Sequence, residues 1–156
     1  MRKALKLDAY KALAGQELGT SDWFEIDQSR INAFADVTED HQFIHIDPVR
    51  AKAETPFGDA IAHGFLTLSL LSHLNMQVLP DIEGRAMTIN YGMNKLRFLN
   101  PVKVGSRVRS KVTMQSATEK APGHLLVQYE AVVEIEGVDK PALVAEQLAL
   151  HILGTG

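Results

Sequence analysis

Cysteine is absent from the 156 residues. That excludes a disulfide scaffold, a thiol nucleophile and a cysteine-ligated zinc site, and it suits a reducing compartment such as the cytoplasm. Long apolar runs are missing too. No stretch approaches the roughly 18 residues of a membrane span, and the longest candidate, Phe65 to Leu74, is interrupted by Thr67, Ser69, Ser72 and His73. The basic start, Met1 to Lys6, leads into Asp8 and Lys11 rather than the apolar core of a signal peptide. An excess of positive charge is also lacking: the formal charge is −3 and the 16 lysines and arginines are scattered, which gives no case for nucleic acid. No repeat, low-complexity tract or linker divides the chain, so one domain over residues 1–156 is expected, long enough to bury a core.

The first half reads as helices and the second as strands. Leu5, Leu7, Tyr10 and Leu13 suggest a short amphipathic helix ending near Gly15, and Trp23, Phe24 and Ile26 a short strand. Asp27 or Ser29 can cap a helix that carries Ile31, Phe34 and Ala35 on one face and runs out near Val37. Asp47 followed by Pro48 predicts the start of another helix, and Thr55-Pro56-Phe57-Gly58 its end. The helix predicted from His63 to about Leu74 has no continuous polar face, so a sheet must wrap it. Alternation around Val104 to Met114, Leu125 to Ile135 and Leu143 to Ile152 supplies that sheet, with one wet, charged face and a turn at Pro122-Gly123. In Met87 to Phe98 the apolar phase switches from odd to even positions. This predicts a bulge at Gly92 or at Asn94-Lys95.

Two stretches carry chemistry. Asp40, His41, His45 and Asp47 crowd one segment between two short helices. If that segment folds back, the Asp40 carboxylate and the His45 imidazole can converge on one water, one group taking a proton and another giving one. The alternative is that Asp40 caps a turn and His45 packs. The spacing matches no standard metal-ligand pattern. The second stretch is Ile61-Ala62-His63-Gly64-Phe65-Leu66, where a helix begins at a glycine. Its free N–H groups can stabilise negative charge on a carbonyl oxygen, or the glycine can serve close packing alone. His73, His124 and His151 read as surface or hydrogen-bonded structural histidines.

In combination these motifs resemble the MaoC-like hydratases, which include (R)-specific enoyl-CoA hydratases. The pattern is Asp40, four residues, His45, then Ala62-His63-Gly64, Leu68-Ser69-Leu70-Leu71-Ser72, and Tyr91 through Leu96, Phe98, Pro101-Val102 and Gly105. Ser21-Asp22-Trp23, Asn90-Tyr91-Gly92 and Arg97-Phe98 are similar to the nodulation-protein-N-type branch, which includes mycobacterial 3-hydroxyacyl-thioester dehydratases. The resemblance covers roughly residues 20 to 115 in motifs and the later strands in pattern only. One departure stands out: Gln42-Phe43 replaces the family's usual Asn-Pro. Gln42 can hydrogen-bond within the loop, and Phe43 is expected to line the acyl pocket.

The resemblance implies an α+β hot-dog fold, a curved antiparallel sheet around one helix, and a homodimer. It implies reversible hydration of trans-2-enoyl thioesters to (3R)-hydroxyacyl thioesters. Asp40 and His45 would be catalytic and the N–H of Gly64 would hold the carbonyl oxygen. His63, Ser72, Tyr91 and Asn94 would support the site. The substrate would be a thioester of coenzyme A or of acyl carrier protein, with no metal or redox cofactor. Hot-dog folds also host thioesterases and non-catalytic acyl-thioester binders, and these remain the alternatives.

Overall fold

The structure is a computed structural model that describes residues 4–154, so Met1 to Lys3 of the basic start lie outside the described residues. It begins with β1 (Ala4–Leu5), α1 (Leu7–Lys11), β2 (Glu17–Thr20) and β3 (Phe24–Glu25). The helical part follows: α2 (Gln28–Thr38), α3 (Phe43–Ile46), α4 (Pro48–Glu54), α5 (Gly64–Ser69) and α6 (Leu71–Met76). The strands β4 (Asp81–Ile82), β5 (Arg85–Phe98), β6 (Arg107–Ala121), β7 (His124–Ile135) and β8 (Val138–Leu153) complete it. The main sheet is antiparallel in the order β2-β6-β7-β8-β5, with β3 also on β6, and a separate parallel pair joins β1 to β4.

Local chemistry places the helices. Asp27 caps α2, its carboxylate accepting the Arg30 N–H at 2.8 Å. Glu39 then takes a left-handed conformation (φ 59°), which ends α2 and turns the chain into the Asp40 segment. Asp47 caps α4 by accepting the Arg50 N–H, with Pro48 at the first helical position. Thr55 before Pro56 is extended (φ −128°, ψ 157°) and stops that helix.

The helix expected from His63 to Leu74 is α5 and α6 in succession, joined through Leu70, which keeps helical dihedrals. Leu66, Leu71 and Leu74 are buried against Val108, Ala131, Val133 and Leu143 of the sheet. Each such leucine contributes about 1.5–3 kcal/mol. The helix is not wrapped all round, however. Phe65 is 65% exposed, and Ser69, Ser72 and Met76 are exposed on the same pair of helices. The sheet covers one side and leaves the other open.

The sheet's outer face is wet and charged, as the alternation predicts. Arg109 pairs with Glu134 at 2.7 Å across β6 and β7, and Lys95 with Glu146 at 3.1 Å. The N-terminal region is more strand-rich than the sequence suggested: β2 lies on β6, and α1 is only one turn and a half long, short of Gly15.

In β5 the register slips between Asn90 and Gly92 and again between Met93 and Lys95, so Tyr91 and Asn94 are both extra residues. Both predicted places bulge. The consequence differs from the sequence reading, because paired residues of antiparallel strands share a face. Thr88 and Asn90 pair with inward-facing His151 and Ala149, while Met87 and Ile89 pair with outer Ile152 and Leu150. The first half of β5 therefore turns its polar residues inward and its apolar residues out.

Candidate active site

The segment after α2 folds back because three hydrogen bonds pin it. The Ile61 N–H donates to the Ile44 carbonyl at 3.0 Å, and the His45 Nδ1–H donates to the Ile61 carbonyl at 2.7 Å. From α2, the Gln28 amide donates to the His45 carbonyl at 2.7 Å. The residues 43–46 form a single helical turn, α3, in place of the expected irregular loop. With Nδ1 committed as donor, His45 presents the lone pair of Nε2 outward. Burial holds its pKa below the ordinary histidine value, partly offset by the bond to the Ile61 carbonyl.

His63 ties this turn to Asp40. Its Nε2–H donates to the Asp40 carbonyl at 2.9 Å, and its ring stacks on His45 with centroids 3.8 Å apart and planes 23° from parallel. The Nδ1 of His63 is buried without a hydrogen-bond partner among the described residues. Asp40 is exposed, and one of its carboxylate oxygens lies within 4.8 Å of a ring nitrogen of His45 and of His63, which lie equally close to each other. These three residues are the ones placed to hold a metal ion. Stacked rings, however, direct their in-plane lone pairs side by side instead of toward one point, which suits proton transfer better than chelation.

Beside the pair is a cavity of about 440 Å³ lined by His45, Gly64, Thr67, Phe57, Phe65 and Phe98, among others. Gly64 opens α5, where the first N–H groups have no carbonyl one turn earlier to accept them. A Cβ on Gly64 would meet the Phe98 ring at 3.0 Å, so glycine keeps the ring close and the N–H accessible.

The structure thus brings Asp40, His45, His63 and Gly64 together. Gln42 is exposed; its backbone N–H, 3.4 Å from Asp40 Oδ1, is its approach to the pair. Phe43 does not line the cavity as expected. It packs under Arg50, whose guanidinium sits 4.3 Å from the ring centroid, and the aromatic walls come from Phe57, Phe65 and Phe98. Phe65 and Phe98 stand within the motifs and Phe57 in the break after α4, but only the chain's folding back brings the three together. Ser72 lies two turns beyond Gly64, about 12 Å along the helix axis, and lines a different cavity instead of approaching the Asp40 segment. Tyr91 and Asn94 are the bulged residues of β5. Tyr91 is 61% exposed, and the Asn94 amide donates to Gln128 at 3.2 Å across the outer face.

This sheet-around-helix architecture with an Asp–His pair at the helix start defines a hot-dog protein of the hydratase type, and the chain belongs to the MaoC-like domain family, whose profile matches residues 10–135. Among its relatives, nodulation protein N of Rhizobium meliloti (strain 1021) is 50% identical over 146 residues, covering 94% of this chain and 91% of that one. The 3-hydroxyacyl-thioester dehydratase Z of Mycobacterium tuberculosis (strain ATCC 25618 / H37Rv) is 47% identical over 141 residues, 90% and 92% of the two chains. The solved (R)-hydratase from A. caviae involved in PHA biosynthesis superposes with a TM-score of 0.71 at 29% identity, covering 87% of this chain and 94% of that one.

Proposed function

We propose that this protein is a lyase that reversibly hydrates trans-2-enoyl thioesters to (3R)-hydroxyacyl thioesters. The observation that carries this reading is the convergence of the Asp40 carboxylate and the His45 ring beside a cavity whose wall includes the first N–H of α5. Family membership and the names of the dehydratase and hydratase relatives support it.

In the hydration direction the thioester carbonyl oxygen accepts the Gly64 N–H. Asp40 and His45 hold one water. As its oxygen bonds to C3, a proton passes to the pair, His45 taking it at Nε2 because Nδ1 is spent on the Ile61 carbonyl. The alkene electrons move to the carbonyl oxygen, where the Gly64 N–H stabilises the developing charge. They return as C2 takes a proton from the pair, and dehydration reverses each step. His63 positions both Asp40 and His45. The steps as proposed use no metal or redox cofactor, and the acyl carrier, coenzyme A or acyl carrier protein, arrives with the substrate. A cytoplasmic location is part of the same proposal.

A homodimer fits the same reading. β5 is a 14-residue edge strand with Met87 and Ile89 exposed on its outer face and the open side of α5 and α6 next to it. An edge of that length calls for a partner, and a second copy pairing along β5 would cover it.

The test is product analysis with purified protein and crotonyl-CoA. Loss of the enoyl conjugation with formation of (3R)-hydroxybutyryl-CoA and no free thiol is the expected result. Release of free coenzyme A would identify a thioesterase instead.

A further inference from the structure

A second cavity, of about 660 Å³, lies between α6, β5 and β8, and its wall is unusually polar for a space beside a core. It shares its framework with the first. On the helix, Thr67 lines the first cavity and Leu71, one turn on, lines the second. On β8, Leu143 lines the first and Gln147 the second, about 13 Å further along the strand. On β5 the two are lined by Phe98 and by Asn90. The two cavities therefore lie one beyond the other along the same helices and strands, with the Asp40–His45 pair beside the first.

The far end is lined by hydrogen-bonding side chains. Gln147 spends its carbonyl oxygen on the Asn75 amide at 3.0 Å, which leaves its own NH2 for the cavity. Asn75 in turn accepts the Ser110 hydroxyl at 2.7 Å, which fixes the pair on the sheet. Below them, the Tyr10 and Tyr129 hydroxyls share a hydrogen bond, and the Tyr129 hydroxyl is hydrogen-bonded to His151 Nε2 at 3.0 Å. On its other side, His151 Nδ1 is hydrogen-bonded to Thr88 Oγ1 at 2.8 Å, which fixes the Thr88 hydroxyl in the cavity wall. Pairing with inward-facing His151 and Ala149 of β8 places Thr88 and Asn90 on the inner face. Burial keeps Tyr129 protonated and lowers the His151 pKa to about 4, so neither carries charge near neutrality. Arg85 at the rim is matched by Asp81 at 3.0 Å.

An uncharged pocket that offers the Gln147 NH2 calls for an uncharged oxygen acceptor, and an apolar tail would strand that donor without a partner. We propose that the second cavity receives the far end of a medium-length acyl chain and selects a chain that bears a hydroxyl or keto oxygen there. This rests on the hydratase reading and specifies its substrate class.

The experiment compares kcat/KM for crotonyl-CoA, trans-2-decenoyl-CoA and the ω-hydroxy form of the latter. The expected result is a preference of about tenfold for the hydroxylated chain, the worth of one good hydrogen bond. Gln147→Leu should reverse it, gaining on the plain chain while losing on the hydroxylated one, a change that misfolding cannot mimic. Thr88→Val should shift the ratio the same way. Turnover of crotonyl-CoA with no preference, or a preference for the plain chain, would overturn the cavity proposal alone. Failure to turn over crotonyl-CoA or either longer chain would overturn the hydratase reading and the proposal with it.

Discussion

The imidazole of His63 lies flat on that of His45, 3.8 Å between centroids, while its Nε2–H holds the Asp40 carbonyl at 2.9 Å. One side chain thus fixes both members of the proposed acid–base pair. His63→Phe preserves the stack and removes the hydrogen bond, so kcat is expected to fall about tenfold to hundredfold with little change in Tm. Steady-state kinetics beside a melting curve checks this; an unchanged kcat would mean that Asp40 is held by other groups.

Gly64→Ala puts a methyl group where the Phe98 ring now sits, 3.0 Å from the new Cβ. Phe98 is partly exposed and can swing away, so the fold should lose less than about 1 kcal/mol. Activity should suffer far more, by about a hundredfold in kcat/KM, because the carbonyl oxygen no longer reaches the N–H. Equal losses in stability and activity would point to packing as the glycine's whole purpose.

The pH profile has a defined sign. His45 must be neutral to accept a proton, and burial holds its pKa below the usual 6.5. The acid limb of kcat/KM should therefore have its midpoint below 6.5, with activity level through neutrality. A midpoint at or above the ordinary value would contradict the buried, Ile61-bound state of the ring.

Stability should carry a separate signature from His151. Its folded pKa, lowered to about 4 by burial and secondarily by Arg85, lies below the ordinary 6.5, so the unfolded chain binds more protons in between. Its contribution is intact above that ordinary value and is lost as pH falls through the window toward 4. His45 adds to the slope in the same direction. Urea unfolding at about pH 5 and about pH 7 should show the wild-type protein losing more stability than His151→Gln. Identical losses would place the titration elsewhere.

Much of this was legible in the sequence because it rests on local rules. Asp27, Asp47 and Pro48 set helix starts through their own backbone neighbours. The alternation in β6 to β8 follows from one buried face, and the switch of phase in β5 required an extra residue. Asp40, His45 and Gly64 were legible as motifs. What was hidden depends on long-range register. With extra residues at both Tyr91 and Asn94 rather than at one of them, the inward face of the first half of β5 carries Thr88 and Asn90, which no periodicity count could decide. Phe43 was expected in the pocket because of where it stands in the motif, yet the single turn of α3 aims it under Arg50. Phe57 and Phe98 reach the site from segments far apart in the chain, so their meeting there depends on the fold alone.

The most direct test of the central claim is the rate of crotonyl-CoA hydration in Asp40→Asn and His45→Gln beside the wild-type protein. Both substitutions keep the side-chain size close and remove the ability to exchange a proton. The account predicts that each lowers kcat by about a hundredfold to ten-thousandfold with the fold intact by circular dichroism. Near wild-type turnover in either variant would contradict the claim that Asp40 and His45 perform the reaction together.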